Sequence, residues 1–431
     1  MKYYSTEGKS EKVSFERAVI NGLAPDRGLY FPEKIGLLDK KVFDIDDFST
    51  LSFEIAKVLL DNAIPEVTLK TIIDSSFNFP VPLKKIDKNI YILELFHGPT
   101  AAFKDFGARF MAYTLNYLLA RENKKVTILV ATSGDTGSAV ANGFYGMENI
   151  DVIILYPSNK VSHFQEKQLT TLGGNITALE VDGTFDDCQK LVKDAFVDSD
   201  LNSKISLSSA NSINIARLYP QSFYYVWAYN LLKKENNEII CCTPSGNFGN
   251  LTAGLLAKKL STPINKFIAA TNINDVVPEY LDTGIFSPRS SKKTHSNAMD
   301  VGNPSNFARM LELYDGNRDK MAKDIVGFKV TDEETLSTIS DVYKRTNYIL
   351  DPHTAVGYFA CEKFIKNSGN NKLPIVLLST AHPSKFSEII EKTINVKVDI
   401  PSELKKVLEK EKVSIKVSNK YDDFKNFLMG K

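Results

Sequence analysis

Val126-Thr127-Ile128-Leu129-Val130-Ala131 runs into Thr132-Ser133-Gly134-Asp135-Thr136-Gly137, and residues 138–144 follow. The first six residues are β-branched or apolar and predict a strand buried on both faces. The next six are small and polar and predict a turn. The last stretch predicts a helix. The same order recurs outward from this point. Residues 152–156 predict a strand, Pro157-Ser158-Asn159-Lys160 a turn, and a helix follows through Gln165 and Leu169. Residues 176–181 and 185–196 repeat strand and helix, and 238–243 and 251–260 do so again. Residues 266–271 and 374–379 predict two further strands. Strands that read as continuous apolar runs between helices imply an α/β fold of open, mostly parallel sheets with helices on both faces.

Outside this core, residues 1–80 read as a separate N-terminal domain, with helices expected over 14–21, 53–60 and 67–77. Residues 81–395 hold the alternating pattern. Residues 396–431 are Lys-rich and mixed, and read as a C-terminal extension without an evident site. The 431 residues are 43% hydrophobic and 24% charged, enough for a large core. The net charge of +1 provides no global field for nucleic acid or an anionic membrane, so any anion site must be built locally. Cys188, Cys241, Cys242 and Cys361 form no CxxC pair, which favours a reducing compartment. The five histidines show no metal-ligand spacing, so no metal is expected. No apolar signal segment or run of transmembrane length is present, and a cytoplasmic protein is expected.

Open α/β sheets hold ligands beyond the carboxyl ends of their strands. Ser245-Gly246-Asn247-Phe248-Gly249-Asn250 lies between a strand and a helix, where glycines and a helix N-terminus make a phosphate cradle without a cation. It is neither a P-loop nor GxGxxG, which argues against a dinucleotide enzyme. A tight turn is the competing reading. Thr132 to Gly137 offers hydroxyls and N–H groups suited to a carboxylate, or an ordinary N-cap. Thr380, at the end of the last strand, offers a hydroxyl suited to a heteroaromatic nitrogen, or a capped turn. Asn211, Asn214 and Arg217 are expected on one helical face able to hold a second anion, or on a solvated polar face.

Lys104 completes the set. Gly98-Pro99-Thr100 reads as a loop, and Phe106, Phe110, Tyr113, Leu115 and Leu118 recur at helical spacing after it. Lys104 therefore sits at a helix N-terminus, between Phe103 and Phe106. The dipole and the apolar flanks both favour the neutral, nucleophilic amine. A surface lysine lying along apolar neighbours is the alternative. A cofactor with an aldehyde, a phosphate and a ring nitrogen would use the lysine, the cradle and the strand-end hydroxyl. Pyridoxal phosphate has all three.

Several stretches, in order along nearly the whole chain, carry a family resemblance. They are Glu94-Leu95-Phe96-His97-Gly98-Pro99-Thr100 through Phe103-Lys104-Asp105-Phe106-Gly107, Ala131 to Gly137, Leu172-Gly173-Gly174-Asn175, and Asn211-Ser212-Ile213-Asn214. Pro244 to Gly249, Ser296-Asn297-Ala298-Met299-Asp300 and Thr380-Ala381-His382-Pro383 continue the series. The chain resembles the threonine synthase family, within the tryptophan-synthase-β-like (fold type II) pyridoxal-phosphate enzymes. The resemblance implies γ-elimination of phosphate from O-phospho-L-homoserine and addition of water at Cβ, the last step of threonine biosynthesis. It implies that Lys104 forms the Schiff base with the cofactor. Gly246, Asn247, Phe248, Gly249 and Asn250 would hold its phosphate, and Thr380 its ring nitrogen. Ser133, Gly134, Thr136 and Gly137 would hold the substrate carboxylate. Lys160, Asn211 and Arg217 are the candidates for the substrate phosphate. A smaller mobile subdomain over about 110–215 and a monomer or homodimer are also implied. Asp135 departs from the wider fold, where asparagine contacts the cofactor's 3′-oxygen. A carboxylate there would repel a phenolate unless one of the two is protonated. A threonine dehydratase or an amino-phospholyase would share Lys104 and the cradle.

Overall fold

The computed structural model describes residues 1–132, 134–161, 163–369 and 372–430. The strands in chain order are β1 (Tyr3–Ser5), β2 (Tyr30–Pro32), β3 (Leu83–Lys85), β4 (Ile90–Glu94), β5 (Val126–Ala131), β6 (Ile150–Pro157) and β7 (Ile176–Asp182). They continue with β8 (Leu207–Ser208), β9 (Ile239–Pro244), β10 (Ile264–Thr271), β11 (Ile325–Lys329), β12 (Ile375–Ser379) and β13 (Ile415–Ser418). One sheet has the order β11-β10-β9-β12-β4-β3, and another the order β13-β7-β6-β5-β8. Both are parallel apart from the antiparallel β3–β4 edge. Every residue of β9 and β12 is buried, as helices on both faces require. The chain therefore has the expected α/β architecture.

The N-terminal residues contribute the antiparallel β1–β2 pair and the helices Phe15–Asn21, Phe48–Leu60 and Glu66–Ser76. Their aromatic side chains reach the helix Lys104–Glu122. Phe48 meets Phe106 edge to face at 5.8 Å, and Phe77 stacks on Phe110 at 6.4 Å. Each such buried ring contributes about 1.5–3 kcal/mol. Arg109 of the same helix donates to the Ser76 carbonyl at 2.9 Å. The N-terminal region thus holds the helix that begins at Lys104.

The chain's end is more than an extension. β13 pairs with β7 from Ile415↔Leu179 to Ser418↔Asp182 and covers the edge of the second sheet. Lys412 Nζ stands 2.7 Å from both Glu166 and Glu180. The sequence hides this strand because Ile415-Lys416-Val417-Ser418 is short and largely exposed. No helix among the described residues is long and apolar enough to cross a membrane.

Candidate active site

The carboxyl ends of β4, β9 and β12 in one sheet and β5 in the other lead into the loops singled out above. Lys104 is the first residue of its helix. The preceding loop is tied to Asp105, whose carboxylate accepts from the Thr100 N–H at 2.9 Å and the Thr100 hydroxyl at 2.6 Å. A short antiparallel contact joins this loop to the end of β12. Phe103 N–H donates to the Thr380 carbonyl at 2.9 Å, and His382 N–H donates to the Ala101 carbonyl at 3.0 Å. Thr380 is thereby brought beside Lys104. Neither the Thr380 hydroxyl nor Lys104 Nζ has a hydrogen-bond partner among the described residues. Burial lowers the Lys104 ammonium to about 8. Asp135 opposes that shift, while Lys385 and Arg217 reinforce it.

Asp135 has a countercharge that sequence reasoning missed. Lys385 Nζ lies 2.8 Å from Asp135 Oδ1 and donates to the Thr100 carbonyl at 3.0 Å. The Lys385 side chain is 0% exposed. Burial alone would raise the Asp135 carboxyl, but Lys385 and Lys104 outweigh it and hold the group well below the usual carboxylate range. Asp135 is therefore an anion with a partner, so a phenolate beside it would face an ion pair instead of a bare negative charge. Gln165 Nε2 also approaches Asp135 Oδ1 at 3.4 Å, and Gln168 Nε2 donates to the Thr100 carbonyl at 3.3 Å. Lys385 occurs in Pro383-Ser384-Lys385-Phe386, a single 3₁₀ turn, where no hydrophobic periodicity marks it as buried.

The carboxylate loop differs in detail from expectation. Thr132 Oγ1 accepts from the N–H groups of both Gly134 (3.0 Å) and Gly137 (2.9 Å). These two N–H groups are engaged within the loop. Those of Asp135 and Thr136, at the start of the helix Asp135–Phe144, lack an intrahelical acceptor. Gly134 has φ +147, and a Cβ there would strike the Gln165 side chain. Ser133 lies outside the described residues.

In the Ser245–Asn250 turn, none of the N–H groups of Gly246, Asn247, Phe248, Gly249 or Asn250 has an acceptor among the described residues. Phe248 is left-handed at φ 58 and turns them toward one region. The glycines are required by packing: a Cβ on Gly246 would stand 2.6 Å from Met299 Cα. The asparagine side chains are engaged by protein partners. Asn250 accepts from the Ser245 hydroxyl at 2.5 Å and donates to the Pro244 carbonyl at 2.9 Å. Asn247 bridges Ser212 Oγ at 2.6 Å and Ser305 N–H at 2.6 Å.

The expected Asn211–Asn214–Arg217 helical face is not formed. The helix covers only Ile215–Leu218, and Asn214 is its N-cap, accepting from Ala216 N–H at 3.0 Å. Asn214 also donates to the Val19 carbonyl at 2.9 Å, which turns it toward the N-terminal region. Asn211 sits in the preceding turn. Arg217 is buried against Gly107, donates to the Ala210 carbonyl, and keeps Nε without a partner. Lys160 is exposed, and its charge acts on Asp187. No contact among the described residues joins Lys160 to Arg217 or Asn211.

Residues 76–381 match the family described as pyridoxal-phosphate dependent enzyme. Residues 2–77 match the threonine synthase N terminus, and 354–428 its C-terminal region. The chain is 43% identical over 435 residues to the threonine synthase of Haemophilus influenzae, with all of both chains covered. It is 45% identical over 410 residues to that of Escherichia coli, covering 94% of each. The crystal structure of a threonine synthase from Brucella melitensis with bound pyridoxal phosphate is 32% identical, covers 100% of this chain and 99% of its own, and gives a TM-score of 0.94. The chain belongs to the threonine synthase family. It is accordingly a pyridoxal-phosphate-dependent lyase.

The site of this threonine synthase family member fits that cofactor on its own geometry. It has a row of unengaged N–H groups for a phosphate, a free amine for an aldehyde, and a free hydroxyl for a ring nitrogen. The lowered amine has a measurable consequence. If Lys104 is the residue that takes the cofactor's aldehyde, capture of pyridoxal phosphate by the apoenzyme needs its neutral amine, and the rate should rise with pH and level off above about 8. An ordinary lysine would level off only above about 10.4. Stopped-flow absorbance across a pH range of roughly 6.5–10 checks this prediction.

Proposed function

We propose that this chain converts O-phospho-L-homoserine and water into L-threonine and phosphate, with Lys104 as the residue that carries the cofactor and moves the protons. When bound, pyridoxal phosphate supplies an electron sink for the substrate's Cα and Cβ. The chain's residues do the rest. The amine of Lys104 would remove the Cα proton and later return it. In between it would take a Cβ proton as the Cγ–O bond to phosphate breaks, and deliver a proton to Cγ, which becomes the methyl group. Water adds its OH at Cβ, and its remaining proton balances the released phosphate. The N–H groups of Asp135 and Thr136 hold the substrate carboxylate at a helix N-terminus. Thr380 offers the ring nitrogen a hydroxyl, which does not keep that nitrogen protonated as a carboxylate would. Asp135, paired with Lys385 at 2.8 Å, would present an ion pair of no net charge to the cofactor's phenolic oxygen. Arg217 remains the substrate-phosphate candidate best supported by its burial and unpartnered Nε. Asn211 is second, and Lys160 is supported only by its charge. The smaller unit around β5–β8 closes over the substrate and excludes water until phosphate has left.

The observation that carries this reading is that Lys104, with an amine free of hydrogen-bond partners among the described residues, and the unengaged N–H row of Gly246–Asn250 both follow the carboxyl ends of strands in one parallel sheet. The test is a phosphate-release assay on pyridoxal-phosphate-loaded enzyme with O-phospho-L-homoserine, with the organic product identified. Threonine in equal amount to phosphate is expected. Phosphate with a keto acid would assign the pocket to a neighbouring lyase reaction, and no release would refute the substrate.

A further inference from the structure

Arg309 is 0% exposed, yet no carboxylate pairs with it among the described residues. Its guanidinium donates to neutral oxygens only. Nε and Nη2 reach the Tyr30 carbonyl at 3.2 and 2.9 Å, Nη2 reaches the Ile213 carbonyl at 2.6 Å, and Nη1 reaches Asn306 Oδ1 at 2.9 Å. A buried cation without an anion is costly, and burial lowers the Arg309 guanidinium to about 9.

Asn306 is also 0% exposed, and its Nδ2 has no hydrogen-bond partner. Arginine can only donate, so the amide oxygen must face it and the NH2 group must point the other way. That way lies the phosphate turn. Nδ2 is 3.3 Å from where a Cβ on Gly249 would stand. Asn306 is also fixed against the turn by its backbone, because the neighbouring Ser305 N–H donates to Asn247 Oδ1 at 2.6 Å and Asn306 N–H reaches the Asn247 carbonyl at 3.4 Å. A buried amide donor without a partner thus lies against Gly249 of the turn, with a buried cation on its other side.

We propose that Asn306 donates its side-chain N–H to the cofactor's phosphate, and that Arg309 is the positioning residue that orients Asn306 and provides the positive charge behind it. This rests on reading Gly246–Asn250 as the phosphate cradle. The orphaned amide and the unpaired guanidinium then share one explanation: both are completed by a phosphate dianion. Tyr30 belongs to β2, so the same guanidinium also ties the N-terminal strand pair to the cofactor's anchor.

The test compares pyridoxal phosphate with pyridoxal, which keeps the aldehyde and ring but lacks the phosphate. Both are titrated into apoenzyme by absorbance, and the bound phosphate is followed by ³¹P NMR. In Asn306→Ala, affinity for pyridoxal phosphate should fall by about 10- to 100-fold, the value of a hydrogen bond to a charged group. Affinity for pyridoxal should stay within about 2-fold, inside the error of a lost neutral contact. The ³¹P resonance should move. Arg309→Lys, which keeps the charge but loses the fork, should show the same split in smaller degree. Should Asn306→Ala not fold, Asn306→Ser carries the same comparison. Equal losses for both ligands, or no loss, would overturn the proposal and leave Asn306 and Arg309 as structural residues. Gly246→Ala separates the two claims. If it discriminates against the phosphate while Asn306→Ala does not, the cradle stands and the role of Asn306 falls. If neither discriminates, the cradle reading falls as well.

Discussion

Lys104→Ala leaves an enzyme that folds but does not turn over. The side chain has no hydrogen-bond partner among the described residues, and Asp135 keeps Lys385 as its countercharge at 2.8 Å when Lys104 is removed, so no group is orphaned. In the proposed role of Lys104, what is lost is the covalent anchor and the base that moves the Cα and Cβ protons. General acid–base groups alone are worth roughly 10²–10⁴-fold, and the covalent role adds to that. Threonine formation should fall by at least about 10³-fold. The cofactor should bind non-covalently through the Gly246–Asn250 turn, with the spectrum of a free aldehyde. Activity near wild type would refute the assignment of Lys104.

Lys385→Met has the second large effect, mainly on stability. The wild-type pair is Asp135 and Lys385, 2.8 Å apart and both buried. Removing one member of such a pair costs about 3–5 kcal/mol, because the remaining charge is left in a low-dielectric site. The pH dependence should change with it. In the wild type the Asp135 carboxyl is held below its unfolded value by Lys385 and Lys104, against the upward push of burial. Its contribution to stability is therefore present above the unfolded carboxylate range and is lost as pH falls through the lower, folded value. Without Lys385, burial pushes the carboxyl up, and the variant should gain stability relative to wild type as pH falls from 7 to 5, roughly toward the carboxylate range. Urea midpoints at both pH values measure this. Asp135→Asn combined with Lys385→Met should recover most of the loss, since the stranded charge is gone. A single variant within about 1 kcal/mol of wild type would show that the ion pair is not what holds Asp135 ionised.

Lys385 also marks where sequence reasoning stops. The strands β5, β6, β7, β9, β10 and β12 were legible because each is an apolar run bounded by polar turns, and β5 begins and ends where its pattern does. Lys104 was legible because a loop, a helix start and two phenylalanines surround it within a few residues. The partner of Asp135 comes from 250 positions later in the chain, through the short contact between Ala102 and Ala381. Nothing local to Pro383-Ser384-Lys385-Phe386 marks a buried cation. The opposite error occurred at Asn211, Asn214 and Arg217, where spacing suggested one helical face. Asn214 caps the helix instead, since its side chain competes for the backbone N–H of Ala216. β13 escaped because an exposed edge strand with a lysine lacks the apolar run that a central strand needs.

The carboxylate loop shows the same limit at finer scale. Thr132 to Gly137 was legible as a turn that opens a helix. Which N–H groups remain for a ligand depends on the Thr132 hydroxyl, which engages Gly134 and Gly137 and leaves Asp135 and Thr136. Residue types alone do not distinguish these N–H groups, because each residue carries the same donor.

The most direct test uses the two lysines whose charges hold Asp135 ionised. Borohydride treatment of the loaded enzyme fixes the cofactor to the lysine that holds it, and peptide mass spectrometry then locates it. The account predicts the pyridoxyl mass on the peptide containing Lys104 and none on that containing Lys385. A modified Lys385 with an unmodified Lys104 would contradict it.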